Sequence, residues 1–464
     1  MANHAVTSPI VAFAGVLAGH FDCTHLLWCS RQLASRSDVA DIKKTGLIAV
    51  QVEPGPQDAP QVTPALLRKS VVLLHDAADG DRWLESLDGL RSWMDHAPLA
   101  VLAAPASRWM PDSLADRLRE AGLRVDFCGL ASAQSGGPRD RVLAVIANNA
   151  SPRLEPAPDD FRVVAIMRAY NEADIIEQSV RHAVAQGLEV YIIDNWSDDG
   201  TYEIAGALQG PGVIGVERYP PDGRAEIFDH KRLLQRIETV SSTLDASWCV
   251  HYDMDELRES PWPDVTLRDA IYHADQSGYN SINHLTVNFY PSDMAYAPGK
   301  NVTDHLRQYT LTGTSASLLQ IKAWKHLGKK IQLVSTGGHR VQFLGQRVYP
   351  YRFLIRHYPL RTAVQAFSKI RQRRYHVPKL ARLLGWHTQY DRYDLTDAQL
   401  FENLCEWARK ELTEFDPATF YQTYLIERLS GVGYDVPHQR LLSHIPRPLK
   451  PPLRKIRYLL RRLI

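Results

Sequence analysis

The run Trp248-Cys-Val-His-Tyr-Asp253-Met-Asp255-Glu256 ends an apolar, β-type stretch in two carboxylates one residue apart. Side chains on a strand alternate between faces, so Asp253 and Asp255 point the same way. Such a pair at a sheet edge offers hard oxygen donors to Mg²⁺ or Mn²⁺ and leaves room for phosphate oxygens. An Asp-X-Asp triplet also recurs in exposed turns, so its meaning depends on what lies upstream.

Upstream, Val163-Val-Ala-Ile-Met167 runs into the polar Arg168-Ala-Tyr170-Asn171-Glu172. Ile176, Val180, Ala183 and Val184 then recur at helical spacing up to Gly187, which reads as strand, loop and helix. A second apolar run, Val190 to Asp194, breaks at once into Asn195-Trp-Ser197-Asp198-Asp199-Gly200-Thr201, a cluster of turn formers. Both strands of this βαβ unit therefore end in acidic loops. Ligands of open parallel sheets bind beyond the carboxyl ends of the strands, so Glu172, Asp194, Asp253 and Asp255 are expected to share one crevice.

These three motifs, in this order, resemble the family 2 glycosyltransferases, inverting enzymes with a GT-A fold. Tyr170-Asn171-Glu172 matches the family opening, in the branch with Arg-X-Tyr-Asn-Glu, and Asp194 to Thr201 matches Asp-Asp-X-Ser-X-Asp-Gly-Thr with Asn195 in place of the second acid. Asp253-Met254-Asp255 is the family's Asp-X-Asp. A looser likeness runs on through His357-Tyr358, Arg361-Thr362 and Lys369. The resemblance implies a nucleotide-sugar donor, UDP-sugars being favoured, with Tyr170, Glu172 and Asp194 near the nucleoside. It places Asp253 at the ribose or metal and Asp255 on the metal. A divalent cation, Mn²⁺ or Mg²⁺, would then stabilise the charge that builds on the departing diphosphate.

Arg224, Lys231 and Arg232 lie between the motif groups and suit phosphate chemically, although a solvated helix face explains them as well. For a third metal ligand the candidate is His357, at the end of the apolar run Tyr351 to Ile355; His339, after Gly337-Gly338, is the second choice. The acceptor hydroxyl needs a general base. The Glu-Asp pair usual in the family's acceptor loop is missing, which leaves Asp304 and Asp293 as the carboxylates in the right stretch, with Asp304 preferred.

The chain has 464 residues, enough for more than one compact unit. A net charge of +2 does not point to nucleic acid. Cys23, Cys29, Cys128, Cys249 and Cys405 lack metal spacing and fit a reducing compartment, and no apolar run reaches the roughly 18 residues of a membrane span. These features predict a cytoplasmic protein. The expected organisation is α/β: a small Rossmann-like domain over 1–150, a linker over 151–160, a GT-A domain with a mixed, mostly parallel sheet over 161–378, and a helical region over 379–464. The first domain, with apolar runs at 47–52, 71–74, 99–103 and 142–146 and helical patterns at 83–93 and 114–123, faintly resembles a degenerate class I methyltransferase fold. It lacks that fold's Gly-X-Gly-X-X-Gly loop and is expected to be non-catalytic. At the far end, Leu453 to Ile464 alternates apolar and basic residues at helical spacing, as in a helix lying in an anionic membrane surface or packed on its own protein.

The functional expectation is a metal-dependent, inverting transferase that moves a sugar to a hydroxyl of a cell-surface glycan or lipid-linked acceptor, in a bacterial setting. Two alternatives share parts of the pattern. One is a non-catalytic nucleotide- or glycan-binding protein with a retained GT-A fold; the other is a nucleotidyltransferase, which would need a Gly-rich phosphate loop that the first strand lacks.

Overall fold

A computed structural model describes residues 9–29, 47–52, 62–75, 87–132, 137–225, 229–311, 320–328, 330–376, 398–425 and 429. The chain divides into two compact units: Met1–Ala150 with Gln422–Ile464, and Ser151–Tyr421.

The first unit holds a six-stranded sheet, β1 (His25–Cys29), β2 (Ile48–Val52), β3 (Ser70–His75), β4 (Leu99–Pro105), β5 (Arg124–Ala131) and β6 (Arg141–Ala147), in the order β2-β1-β3-β4-β6-β5. The first four run parallel, and β6 runs antiparallel to both β4 and β5. Continuous apolar runs such as β4 and β6 are what a sheet covered on both faces requires. Helix Pro111–Glu120 buries Leu114 and Leu118 against Val72, Leu102 and Ala144 in one core. β5 has no apolar run to announce it. Its residues alternate between partly buried and buried, and pairing with β6 supplies the rest.

The second unit holds β7 (Val163–Ala169), β8 (Glu189–Asp194), β9 (Val213–Arg218), β10 (Trp248–Asp253), β11 (Glu256–Glu259), β12 (Ser281–Tyr290), β13 (Gln308–Thr310), β14 (Gln320–Lys325), β15 (Val348–His357) and β16 (Thr413–Glu414). The sheet order is β11-β15-β12-β14-β10-β7-β8-β9, with β13 between β12 and β16. It is parallel over β10-β7-β8-β9 and antiparallel where β14 joins β10 and β12. The crossover helix Ile176–Ala185 buries Ile176, Val180 and Ala183, the apolar stripe that its spacing predicts. Gly187 ends the turn after it at φ +80°, where a Cβ would also strike the side chain of Arg268. Helix His230–Thr243 packs Leu233, Leu234 and Ile237 with Ile166 of β7, Ile193 of β8 and Cys249 of β10, which fixes those strands and their loops side by side.

Helix Ala398–Glu411 contributes Phe401, Leu404 and Cys405 to a core shared with Leu360 and Ala366, so this stretch belongs with the second unit. Among the described residues, no helix is long and apolar enough to cross a membrane. The basic amphipathic tail expected over 453–464 lies outside the described residues.

Candidate active site

Strand register brings the motifs together. Asp253, the last residue of β10, pairs with Arg168 of β7, and Ala169 at the end of β7 pairs with Asp194 at the end of β8. The loops after β7 and β8 are then tied to each other. Ser197 Oγ accepts from the Asn171 N–H (3.0 Å), Thr201 Oγ1 from the Glu172 N–H (2.9 Å) and Asp199 from the Ala173 N–H (3.1 Å). Asn171 reciprocates by donating its amide to Asp198 and accepting from the Asp198 N–H. Asn171 and Trp196 pay for this with left-handed backbone at φ 56° and 60°. Asn195, which departs from the family pattern, donates to the Tyr219 carbonyl at 2.9 Å and acts as a latch of the loop.

Asp194 is fully buried. Its Oδ2 accepts from the Ser197 N–H at 3.1 Å, whereas Oδ1 has no hydrogen-bond partner. Burial raises its carboxyl above the ordinary value against the pull of Ser197. An unmade bond on a buried acceptor is costly, and a ligand N–H or O–H would remove the cost. At the exposed rim, Arg224 donates to Tyr170 Oη (3.0 Å) and pairs with Asp198 (2.7 Å). Lys231 is exposed and Arg232 is tied to Asp222 at 2.9 Å.

The carboxylates beyond β10 are matched by cations, two of which, Arg258 and Lys322, no motif contains. Asp253 Oδ1 takes the Arg168 guanidinium and its Oδ2 takes Lys322 Nζ at 2.7 Å. Lys322 also reaches Glu256 Oε1 (2.9 Å), whose other oxygen takes Arg258 Nη2 (2.6 Å). Glu172 gives one oxygen to Arg361 and the other to Lys369 Nζ at 3.1 Å, and Lys369 bridges on to Asp255 Oδ2 at 2.5 Å. Arg361, fully buried, forks across both oxygens of Asp174 at 2.7 Å. Burial alone would raise the Asp253 and Asp255 carboxyls. The Arg168 and Lys322 charges hold the first well below the usual carboxylate range, and Lys369 with His357 does the same for the second.

His357 lies where β15 pairs with Glu256 of β11 and Asn288 of β12. Its Nδ1–H donates to Asn288 Oδ1 at 2.8 Å, and Nε2 stands 3.5 Å from Asp255 Oδ2. His339 is exposed and contacts the Gln320 amide at 3.1 Å. Of the expected ligand set, Asp255 and His357 approach each other, but the oxygens in reach are occupied. Both Asp253 oxygens carry protein cations, and the Asp255 oxygen that faces His357 carries an ammonium. Among the described residues, no group of three or more His, Cys, Asp and Glu side chains is placed to hold a metal ion. The residues as arranged do not fit a shared divalent cation.

Of the candidate bases, Asp293 is an exposed turn carboxylate that accepts the Ala295 N–H at 2.8 Å. Asp304 is an exposed carboxylate in the short helix Val302–His305. Sequence reasoning missed Asp174, Glu256, Arg258 and Lys322 altogether. A lysine at a buried position of the otherwise apolar strand Gln320–Lys325 was the available signal.

Three buried histidines back the crevice as neutral rings. His230 Nε2–H donates to the Gly337 carbonyl (3.2 Å) while Nδ1 accepts from Arg168 (3.1 Å). His251 Nδ1–H donates to Gly338 (3.1 Å), and His284 sits between the Gln320 carbonyl and Arg258. Burial, reinforced by Arg168, pushes His230 down to about 3 from 6.5, and His251 and His284 fall well below 6.5. Unfolding lets these rings take up protons below pH 6.5, so the unfolded state binds more protons there and stability falls as the pH is lowered from 6.5 toward 3. A His230→Gln variant is expected to flatten the dependence of urea-unfolding free energy on pH between 6.5 and 5, by about 1 kcal/mol per pH unit. An unchanged slope would mean that His230 is not held neutral.

Residues 164–224 match the family model described as Glycosyl transferase family 2, a stretch that holds β7, β8, β9 and the two stitched loops and stops short of Asp253. No curated protein matches the chain. The match supports a glycosyltransferase of the nucleotide-sugar type.

Proposed function

We propose that this glycosyltransferase moves a sugar from a nucleoside diphosphate donor, UDP-sugars being favoured, to a hydroxyl of a cell-surface glycan or lipid-linked acceptor, with inversion. The observation that carries the reading is the pair of stitched loops after β7 and β8, beside the buried Asp194 with one unpartnered oxygen. A nucleobase N–H or a ribose O–H is the kind of donor that Asp194 Oδ1 lacks. Tyr170 and Arg224 meet at the rim of the same loops, where Arg224 also pairs with Asp198, and cation–π stacking of Arg218 on Tyr202 and Trp196 stiffens that rim.

The transfer is a single displacement. A base takes the acceptor proton, the acceptor oxygen bonds to the anomeric carbon, and the bond to the diphosphate breaks with its electron pair leaving on phosphate oxygen. Asp304 is the base in this reading, and Asp304→Asn is expected to lower kcat about 10²-fold with donor binding unchanged. An equal loss for Asp293→Asn would reverse the assignment. Work at the inner face of a membrane fits an acceptor of this kind.

The donor is tested by thermal shift with UDP, GDP, CDP and TDP and their sugar conjugates. A ligand at about 100 times its Kd stabilises the folded state by about 2.7 kcal/mol, which raises Tm visibly. A shift with one nucleotide family names the donor. No shift with any of them would favour a protein that keeps the fold without the donor, and pyrophosphate release from a nucleoside triphosphate would favour a nucleotidyltransferase.

A further inference from the structure

We propose that Lys369 supplies the positive charge that faces the donor diphosphate, and that this site binds its donor without a divalent cation. The inference rests on the transferase reading above and departs from the metal that the family resemblance implies.

The Asp255 oxygen that faces His357, where a cation shared by the two would sit, is Oδ2, 3.5 Å from His357 Nε2. That oxygen already holds Lys369 Nζ at 2.5 Å. A divalent ion bonded to carboxylate oxygen sits about 2.1 Å away, so ion and ammonium would crowd one atom with like charges a few ångströms apart. Lys369 is itself held in place. It is 8% exposed, anchored by Glu172 as well as Asp255, and Arg361 takes the second Glu172 oxygen so that the glutamate cannot swing away. Asp253 offers no alternative, because Arg168 and Lys322 occupy both of its oxygens.

Charge balance agrees. Glu172, Asp174, Asp253, Asp255 and Glu256 face Arg168, Arg258, Lys322, Arg361 and Lys369, one base for each acid. A constellation built to attract a divalent cation carries surplus negative charge, and this one carries none. An incoming diphosphate tips the same balance toward the anion, and a lysine is a suitable point charge for phosphate.

The test uses the full chain with MnCl₂ and with UDP, or whichever diphosphate the thermal-shift screen selects. Manganese binding is read by the electron paramagnetic resonance signal of free Mn²⁺, and nucleotide binding by calorimetry in EDTA and in Mn²⁺. The expected results are no Mn²⁺ binding tighter than about 1 mM and a nucleotide Kd that is the same in both buffers within about twofold. Lys369→Met is expected to weaken nucleotide binding in EDTA about tenfold or more and to create a Mn²⁺ site that Asp255→Asn removes, while Lys369→Arg keeps the nucleotide affinity. Micromolar Mn²⁺ binding by the unaltered chain, lost in Asp255→Asn, would overturn the proposal, as would nucleotide binding that disappears in EDTA. These wild-type measurements do not depend on how any Lys369 variant folds. If no diphosphate binds in either buffer, the transferase reading fails and the proposal with it, whereas manganese-dependent nucleotide binding overturns the proposal alone.

Discussion

Asp255→Asn is expected to lower donor turnover about 10³-fold, as the loss of a group that fixes transition-state charge does. The prediction rests on Lys369 as the cation that neutralises the departing diphosphate. Asp255 is one of its two anchors, at 2.5 Å, and the ammonium of the variant relaxes toward Glu172 alone. Asparagine keeps the volume and one oxygen, and Glu172 still compensates Lys369, so the variant is expected to stay folded with a Tm close to that of the parent. Steady-state turnover of the donor identified in the thermal-shift screen measures the effect. Near-normal kcat in a folded Asp255→Asn protein would remove the Asp-X-Asp triplet from the chemistry.

Arg361→Met is expected to act on stability, by about 3–5 kcal/mol. The guanidinium is fully buried, forks onto Asp174 with two 2.7 Å bonds, binds Glu172, and donates to the Tyr358 carbonyl at 2.8 Å. Burial works against its charge, but Glu172 and Asp174 together raise its pKa well above the ordinary value. Methionine fills similar space but leaves the largely buried Asp174 without its partner, and breaking such a pair from one side is the costly case. At about 2–4 °C per kcal/mol for a unit of this size, Tm should fall by about 6–20 °C. The double variant Arg361→Met with Asp174→Asn removes the stranded charge and should recover part of the loss, which separates an electrostatic cause from lost packing. A single-variant change under about 1 kcal/mol would show that the network is dispensable to the fold.

The two results divide one network by role, since Arg361 secures Glu172 from beneath while Asp255 lies on the side that faces His357. Glu172 was expected at the nucleoside on resemblance alone. In the structure its oxygens are taken by Arg361 and Lys369, and Asp194 is the buried carboxylate left with an unmade bond.

By itself the sequence determined the parts whose signal is local. Apolar runs marked β7, β8 and β10, a period-3.6 pattern marked the helix Ile176–Ala185, and polar or turn-forming residues marked the loops after β7 and β8. Parallel pairing of such strands puts their loops at one edge, so the crevice of Glu172, Asp194, Asp253 and Asp255 was legible. The tertiary structure decided what those carboxylates bind. Lys322 arrives on β14 from 69 residues beyond Asp253, and Lys369 reaches Glu172 across 197 residues. No window of sequence spans such distances, and a buried charge finds its partner through strand register and helix packing. The acids could therefore be read along the chain as a metal site, and only the fold shows that their oxygens already hold arginine and lysine.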